Sequence, residues 1–341
     1  MSNQVILTII IPTYNRSLHL EKLLKALDAE LSGLSGVCVI VGDNASTDAT
    51  ADVMARFQAR QPAWRMLRHP ENCGAEENFC RCIEQVATDY FWIIGDDDLP
   101  RAGAIPAVLK ILGANQPDLI HLKSRWTPSL TSHDQVGSMG QLRPMLLDRL
   151  SFARLVHIWT TFISGNIVRT ALVPMASLRR HTGTSLVQLG WIFEALKQGQ
   201  RFIHITKPCI LATSGASGGY PLLKVFAGHF PRIAREAFAG DQAMVAVGEA
   251  LVSRASLGYL PSLVWALRRG AAGDFDKSES ITEAFEPELG KSLAYRLIIR
   301  PTATAPLQFA WLLLKVSNLA SLALSLLDGV HARLSRSMRT V

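Results

Sequence analysis

The stretch Asp89-Tyr-Phe-Trp-Ile-Ile-Gly-Asp-Asp-Asp-Leu-Pro100 decides how the chain is read. Tyr90 to Ile94 is a short apolar run that reads as a buried β-strand, and it ends abruptly on Asp96, Asp97 and Asp98. Carboxylates this close repel one another, so folding them beside a buried strand is costly unless a cation or donor groups neutralise them. Oxygen-only ligands on a short loop suit a hard divalent cation such as Mg²⁺ or Mn²⁺, an ion that commonly also holds substrate phosphates. The rival reading is a solvated acidic turn capping the next helix, and the residues around the run decide between the two.

Working outward, the first 126 residues alternate strand and helix patterns. Val5–Ile11 is a β-rich run ended by Pro12-Thr-Tyr-Asn15. Leu20, Leu23, Leu24, Leu27 and Leu31 then recur at helical spacing, with Asn15 or Ser17 as the expected cap. Val37–Val41 is a second strand, ended by Gly42-Asp-Asn-Ala-Ser-Thr-Asp48. Ser46 is the expected cap of a helix facing inward through Val53, Met54 and Phe57. Trp64–Leu67 is a weaker strand, followed by His69 to Ala75 and a helix from about Glu76 to Val86. After the acidic run, a helix runs from about Pro106 to Leu112, and Asp118–Leu122 makes a fifth strand.

Strands buried on both faces and separated by helices imply a mostly parallel, doubly wound α/β sheet. Ligands of such sheets bind outside the carboxyl ends of the strands. Here those ends carry Thr13-Tyr-Asn15, Asp43-Asn44, Asn72-Cys-Gly74 and Asp96-Asp-Asp98, and right-handed crossovers bring them to one edge. That convergence favours a ligand site over a solvated turn. No G-x-G-x-x-G follows the first strand, and Gly215-Ala-Ser-Gly-Gly219 lacks the Lys-Ser/Thr ending of a phosphate-binding P-loop.

Beyond residue 126 the patterns are less legible. Thr127–Gly140 reads as a polar loop, Phe162–Val168 as a strand and Leu186–Leu196 as a helix. Arg201–Ile205 and Cys209–Ala212 read as strands flanking Pro208. Leu223 to about Arg269 is helical with expected breaks at Gly258 and Pro261, and Gly270–Gly290 reads as an acidic linker. The expected domains are 1–222 (in two halves, 1–126 and 127–222), a helical extension with its linker at 223–290, and a basic amphipathic region at 291–341.

Composition sets the broader bounds. The chain has 341 residues, 48% hydrophobic and 18% charged, which supports a sizeable core and argues against global disorder. Five cysteines without a C-x-x-C are too few for a disulfide scaffold and fit reduced thiols in the cytoplasm. The N-terminus lacks the basic start of a signal peptide. Net charge is +7. From Lys291 onward the charged residues are Lys291, Arg296, Arg300, Lys315, Arg333, Arg336 and Arg339 against Asp328 alone, so the excess sits at the C-terminus. A basic nucleic-acid-binding domain surface is not supported.

Within that terminus Leu307–Leu327 is long enough to cross a bilayer, but Lys315, Asn318, Ser325 and Asp328 interrupt it at helical spacing. A broad apolar face followed by His331, Arg333, Arg336 and Arg339 favours a helix lying in the interface of an anionic membrane. Packing on the N-terminal α/β domain and a true span are the alternatives.

Four motifs taken in order, Ile9-Ile-Ile-Pro-Thr-Tyr-Asn-Arg16, Val41-Gly-Asp-Asn-Ala-Ser-Thr-Asp48, Asn72-Cys-Gly-Ala-Glu-Glu-Asn78 and Ile94-Gly-Asp-Asp-Asp-Leu99, resemble those of the family-2 glycosyltransferases. These use the nucleotide-diphospho-sugar fold called GT-A. The resemblance covers roughly residues 5–125, and its Gly-Asp-Asp-Asp form looks most like the O-antigen subgroup that includes abequosyltransferases. It implies an inverting enzyme that moves a sugar from a nucleotide-diphospho-sugar donor to a hydroxyl of a glycan or lipid-linked glycan, and the basic amphipathic tail leads to the expectation that it works at the inner face of the cell membrane. By the same resemblance Pro12, Thr13, Tyr14, Asn15, Arg16, Asp43, Asn44, Asn72, Gly74, Asn78 and Asp96 would surround the donor. Asp97 and Asp98 would hold Mg²⁺ or Mn²⁺ on the diphosphate.

The chain departs from the family pattern in three places. Gly95 stands where the family often has the first aspartate of its acidic motif. Glu77 replaces a frequent Arg or Lys before Asn78, which passes phosphate pairing to Arg81, Arg16 or a later residue. The acidic pair that usually supplies the general base is Leu186-Val-Gln-Leu-Gly-Trp191 here. Glu194 is then the candidate base, ahead of His181 and His157, and Gln188 a candidate for orienting the acceptor. Two rivals follow: a degenerate nucleotide-binding scaffold at the membrane, motivated by the missing base, and a sugar nucleotidyltransferase, which would normally show a glycine-rich basic loop after the first strand.

Overall fold

The computed structural model describes residues 6–127, 140–213, 219–270 and 280–337, with side chains as far as Val330. The chain divides into two compact units. The first comprises Met1–Met145, Phe162–Gly183 and Val187–Ser214; the second comprises Leu146–Thr161, Thr184–Leu186 and Gly215–Val341.

The first unit is built on one sheet. Its strands are Leu7–Thr13 (β1), Val37–Asp43 (β2), Arg65–Arg68 (β3), Tyr90–Ile93 (β4), Leu99–Pro100 (β5) and Leu119–Thr127 (β6). Asn166–Arg169 (β8) and Phe202–Thr213 (β9) complete it; the short strand Met145–Leu147 (β7) has only its first residue in this unit. The order across the sheet is β3-β2-β1-β4-β8-β6-β9-β5. β3, β2, β1 and β4 are mutually parallel, as the alternation of patterns requires, whereas β8 enters antiparallel between β4 and β6. Every residue of β1 and β4 is buried, which is why both read as unbroken apolar runs. The weaker β3 is the edge strand and is partly exposed. The expected α/β fold with a helical C-terminal region is therefore present, with antiparallel pairs added to the parallel sheet.

Helices Ser17–Leu31 (α1), Thr50–Arg60 (α2), Ala75–Ile83 (α3) and Ala104–Asn115 (α4) connect the strands. α1 buries Leu20, Leu23, Leu24 and Leu27, and α2 buries Val53, Met54 and Phe57, the faces that the spacing predicts. The caps differ from expectation. Neither Asn15, Ser17 nor Ser46 caps these helices; Asp48 serves both, accepting from Ser17 N at 3.0 Å and from Thr50 N at 3.0 Å. Ser46 Oγ instead accepts from Asn15 N at 2.8 Å, so the loops after β1 and β2 are tied together.

Although burial works against it, these donors hold the Asp48 carboxyl down to about 2. Its stabilising contribution is thus complete above its ordinary value of 3.8 and is lost as pH falls from there toward 2. Asp48→Ala is expected to cost about 1–2 kcal/mol at pH 7 and to flatten the acid limb of stability, as measured by urea unfolding at pH 7 and pH 3.

Three further expectations are corrected. Arg201–Ile205 and Cys209–Ala212 belong to one strand, β9. Pro208 is absorbed where the pairing with β6 slips between Leu122 and Ser124, a bulge that needs no ladder donor. In the second unit Gly258 and Pro261 do not break the helix: Gln242–Arg268 (α8) runs through both. The linker reading of Gly270–Gly290 gives way at Ile281–Leu289 to helix. Residues 271–279, most of the 127–140 loop and most of Gly215–Gly219 lie outside the described residues.

The second unit is helical, with Arg149–Val156 (α5), Phe230–Ala237 (α7), α8, Ile281–Leu289 (α9), Arg300–Thr304 (α10) and Leu307–Ser337 (α11). Leu189–Gln198 (α6) belongs to the first. α5 falls within the expected 127–222 half but is grouped with the C-terminal helices. α8 is their centre, packed on α5, α7 and α11. Gly258 is needed there, because a Cβ would stand 2.8 Å from Ser321 Oγ of α11.

Candidate donor site at the carboxyl edge of the sheet

Register places the polar clusters together. Thr13 is opposite Asp43 across β1 and β2, Asp43 is opposite Arg68 across β2 and β3, and Ile10 is opposite Ile93 just before the acidic run. The three aspartates of the run have different surroundings. Asp96 is buried; Thr13 Oγ1 donates to its Oδ2 at 2.7 Å and Arg16 Nη1 to its Oδ1 at 3.0 Å. Arg16 Nη1 also reaches Asp97 Oδ2 at 2.9 Å, so one guanidinium spans two carboxylates. Asp97 is the most open of the three, and its carbonyl oxygen accepts from Thr213 Oγ1 of β9 at 3.0 Å.

Asp98 is buried with no cationic partner among the described residues; its Oδ2 accepts from Ser164 Oγ at 2.5 Å. Burial, followed by repulsion from Asp97 and Asp96, pushes its carboxyl up to about 7 even against that hydrogen bond. Burial likewise raises Asp96, with Arg16 and Thr13 working the other way.

Ser164 and Thr213 carry no sequence signal, because each reaches the acidic run through non-local strand pairing. β8 pairs antiparallel with β4 (Trp92 opposite Ile167), which brings the turn before β8 alongside Gly95. Ser164 Oγ then accepts from Gly95 N at 2.9 Å, and Trp92 Nε1 donates to Ser164 O at 2.8 Å.

The polar residues around the ends of β1 and β2 differ in how far their hydrogen bonds are already used. Asp43 is fully buried, and its Oδ1 accepts from Ser46 N at 2.9 Å. Its Oδ2 has no hydrogen-bond partner, although Arg68 Nη1 stands within ion-pair range at 3.6 Å. Asn44 and Asn72 are occupied with each other and the loop: Asn44 Nδ2 donates to Asn72 Oδ1 at 2.8 Å, and Asn72 Oδ1 also accepts from Gly74 N at 2.9 Å. Gly74 holds a φ of +83°, a conformation suited to glycine. Asn78 is buried and donates to Gly42 O at 2.9 Å, buttressing the end of β2. Asn15, at a φ of +51° that Asn tolerates, accepts through Oδ1 from Thr47 N at 2.7 Å. Pro12 is buried beside Gly42, and Tyr14 is exposed.

Glu77 is committed to structure. It accepts from Arg179 Nε at 2.8 Å and Arg81 Nε at 2.9 Å, and these donors lower its carboxyl to about 2. Arg81 is thereby drawn to Glu77, whereas Arg16 lies on the aspartates. Arg179, which no motif marked, ties α3 to the segment before α6.

The proposed base fares differently from the acidic run. Glu194 is not at the surface but buried on α6, where Arg180 and Lys197 pair with its Oε1 and Gln198 Nε2 donates to its Oε2 at 2.9 Å. Burial raises its carboxyl, but the three donors prevail and the net shift is downward. A carboxylate held ionised by its neighbours is a poor proton acceptor, so these surroundings speak for a structural anion. Its stabilising effect is present above the ordinary 4.5 and is lost as pH falls below it. Glu194→Gln is expected to keep donor turnover within about threefold while lowering the melting temperature at pH 7. A drop of a hundredfold or more would restore the base role. Gln188 is buried at the start of α6.

A divalent cation is compatible with this donor set. Among the described residues no group of three or more His, Cys, Asp or Glu side chains gathers as a complete metal cage. Mg²⁺ and Mn²⁺ do not need one, since they commonly take one or two carboxylates and complete the shell with phosphate oxygens and water. Asp97 and Asp98 present such a pair, and the raised Asp98 carboxyl marks uncompensated negative charge there.

Known proteins share this architecture. Residues 8–173 match the glycosyl transferase family 2 model. Over 123 residues the chain is 28% identical to the abequosyltransferase RfbV of Salmonella typhimurium, covering 34% of this chain and 34% of that protein, so the match spans about a third of that curated relative. The fold is similar to that of S. aureus TarS 1–349 in complex with UDP-GlcNAc, with a TM-score of 0.58 and 14% identity over 98% of this chain and 92% of that one. A longer TarS structure is covered over 48% of its length. The mannosyltransferase PcManGT from Pyrobaculum calidifontis, in complex with GDP-Man and Mn²⁺, gives a TM-score of 0.53 and 18% identity over 95% of this chain and 88% of that one. At these identities the solved structures share the fold. With the four motifs on the carboxyl edge of the sheet and the family model running from β1 past β8, the chain carries a family-2 glycosyltransferase domain of GT-A fold.

Proposed function

We propose that the protein transfers a sugar, with inversion, from a nucleotide-diphospho-sugar to a hydroxyl of a glycan or lipid-linked glycan in cell-surface polysaccharide synthesis of the O-antigen kind. The acceptor is met at the cytoplasmic face of the cell membrane. The observation that carries this reading is the paired arrangement of a buried, unneutralised Asp98 and the open Asp97 on the same sheet edge as the unsatisfied Asp43 Oδ2.

Asp43 Oδ2 would accept from an N–H of the nucleotide base, with Pro12 and Tyr14 bordering base and ribose. Thr13, Asn15, Asn44, Asn72, Gly74 and Asn78 keep the surrounding loops in shape, and Asp96 fixes Arg16. Asp97 and Asp98 would hold Mg²⁺ or Mn²⁺, whose charge offsets that of the departing nucleoside diphosphate. Arg16 is placed to pass from the aspartates to a phosphate oxygen once a cation takes its place. Gln188 is assigned to orienting the acceptor hydroxyl for in-line attack on the anomeric carbon. The RfbV match and the nucleotide-sugar complexes of TarS and PcManGT support the donor class.

A panel of nucleotide sugars screened for hydrolysis with Mn²⁺, with Mg²⁺ and with chelator tests the reading. At least one donor should turn over only with metal. Binding of nucleoside diphosphates without turnover of any donor would favour the rival of a nucleotide-binding scaffold, for which the locked Glu194 and the glutamine at 188 are the motivating observations.

A further inference from the structure

In α11 the usual arrangement of a helix in water is inverted. Its inner side, against α8, buries one large apolar residue, Leu314, beside the small or polar Ala310, Ser317 and Asp328. Ser317 Oγ donates to Leu257 O, Ser321 fits against Gly258, and Arg254 Nη2 bonds Asp328 Oδ2 at 2.5 Å. Its outer side carries Phe309, Trp311, Leu312, Val316, Leu319 and Leu326, with Phe309 64%, Leu319 66% and Leu326 63% exposed. The polar stripe read from the sequence is split, since Asp328 turns inward while Lys315 stays outside and lies over the Trp311 ring at 5.2 Å. A run of exposed leucines along one helix is far more than the scattered apolar residues of an ordinary surface.

Charge identifies what covers this face. Leu293 and Leu297, also exposed, alternate with exposed Lys291, Arg296 and Arg300. The only acid after residue 290 is Asp328, which its pairing with Arg254 removes from the surface. The side chains of His331, Arg333, Arg336 and Arg339 lie outside the described residues, but they add further positive charge in sequence. A second copy of the chain would bring these cations against one another, whereas an anionic lipid surface attracts them and accepts the leucines.

We propose that the outer face of α11, with Leu293 and Leu297, is a docking surface for an anionic lipid bilayer, and that α11 lies in the plane of its interface. By length and composition Leu307–Val330 could cross a membrane, as α8 could. Spanning would require α11 to give up the Arg254–Asp328 pair and its close contact at Gly258, so in-plane insertion is the mode that keeps the packing. This surface deepens the lipid-linked-acceptor reading, yet its test does not depend on glycosyl transfer.

The full chain is floated with phosphatidylglycerol vesicles and with phosphatidylcholine vesicles, at low and high salt. Wild type should bind the anionic vesicles at least about tenfold better, with salt weakening the difference. The Leu312→Gln/Leu319→Gln/Leu326→Gln variant should lose binding to both by about tenfold or more while keeping its melting temperature and donor hydrolysis. Arg296→Gln/Arg300→Gln, which alters no packed residue, should lower binding to the anionic vesicles only. In vesicles of brominated lipid, bromines near the headgroup should quench Trp311, assigned by difference with Trp311→Phe, more than bromines at the chain end. Equal flotation of the triple variant and wild type would overturn the proposal. So would a vesicle-free wild-type dimer that the triple variant dissociates, or strongest quenching by chain-end bromines. Loss of donor hydrolysis in wild type would count against the proposed activity and leave the lipid surface standing or falling on flotation.

Discussion

Asp98→Asn should reduce metal-dependent donor turnover by about two to three orders of magnitude and, at the same time, stabilise the metal-free protein. The two effects share one cause. Asp98 is buried beside two other carboxylates, and its carboxyl is held at about 7, well above its ordinary 3.8. A raised acid pKa means that the folded protein binds a proton which the unfolded chain releases. Asp98 therefore costs nothing below about 3.8, and the cost grows as pH rises toward 7 and persists above it. Asparagine keeps an acceptor for Ser164 Oγ and carries no charge, so the metal-free variant should be more stable at pH 8 by on the order of a few kcal/mol. At pH 4 the difference should nearly vanish. Asp97→Asn should lower turnover to a similar degree with little change in stability, because Asp97 is more open and is paired with Arg16. Steady-state hydrolysis and thermal melting at pH 4 and pH 8 separate these outcomes. Wild-type turnover in both variants would remove the metal role from this pair.

Asp43→Asn should weaken donor binding about 10–100-fold, read as a rise in KM with a smaller change in kcat. Asp43 is fully buried, and its Oδ1 is spent on Ser46 N, a bond that asparagine keeps. Its Oδ2 meets no donor, and Arg68 Nη1 at 3.6 Å offers charge without a hydrogen bond. An amide nitrogen in that position would face both Arg68 and the N–H of a base, replacing an acceptor with a donor. Asn72→Ala is the contrasting variant, since Asn72 Oδ1 supports Asn44 and Gly74 within the loop. It should lower stability by about 1 kcal/mol and affect binding through loop order.

The local elements of the candidate donor site were legible because their signals are local. Continuous apolar runs at Val5–Ile11 and Tyr90–Ile94 read as strands buried on both faces, as β1 and β4 are, and polar residues at strand ends marked the candidate ligand edge. The resemblance already set Asp97 and Asp98 apart from Asp96, but the surroundings that distinguish the three in the structure come from afar. Ser164 reaches Asp98 through an antiparallel strand 66 positions away, which no spacing rule encodes. The helical pattern gave the position of Glu194 but not the Arg180 and Lys197 that enclose it. The caps failed similarly: Asp48 serves two helices, one of them 31 residues distant, so a search for the nearest Ser or Asn found the wrong residue. At Pro208 and Pro261 a local breaker was overridden, by a bulge in one case and by tertiary packing in the other.

The central claim is a donor site in which Asp97 and Asp98 hold a divalent cation on a nucleoside diphosphate, and calorimetric titration tests it most directly. UDP and GDP are titrated separately into the full chain with Mn²⁺, with chelator, and into Asp97→Asn and Asp98→Asn with Mn²⁺. The account predicts that at least one nucleotide binds wild type, that chelator weakens this binding by at least about tenfold, and that each substitution does the same while Asn72→Ala retains the metal dependence. Equal affinity in wild type with and without Mn²⁺, or unchanged Mn²⁺-dependent binding in both aspartate variants, would contradict it.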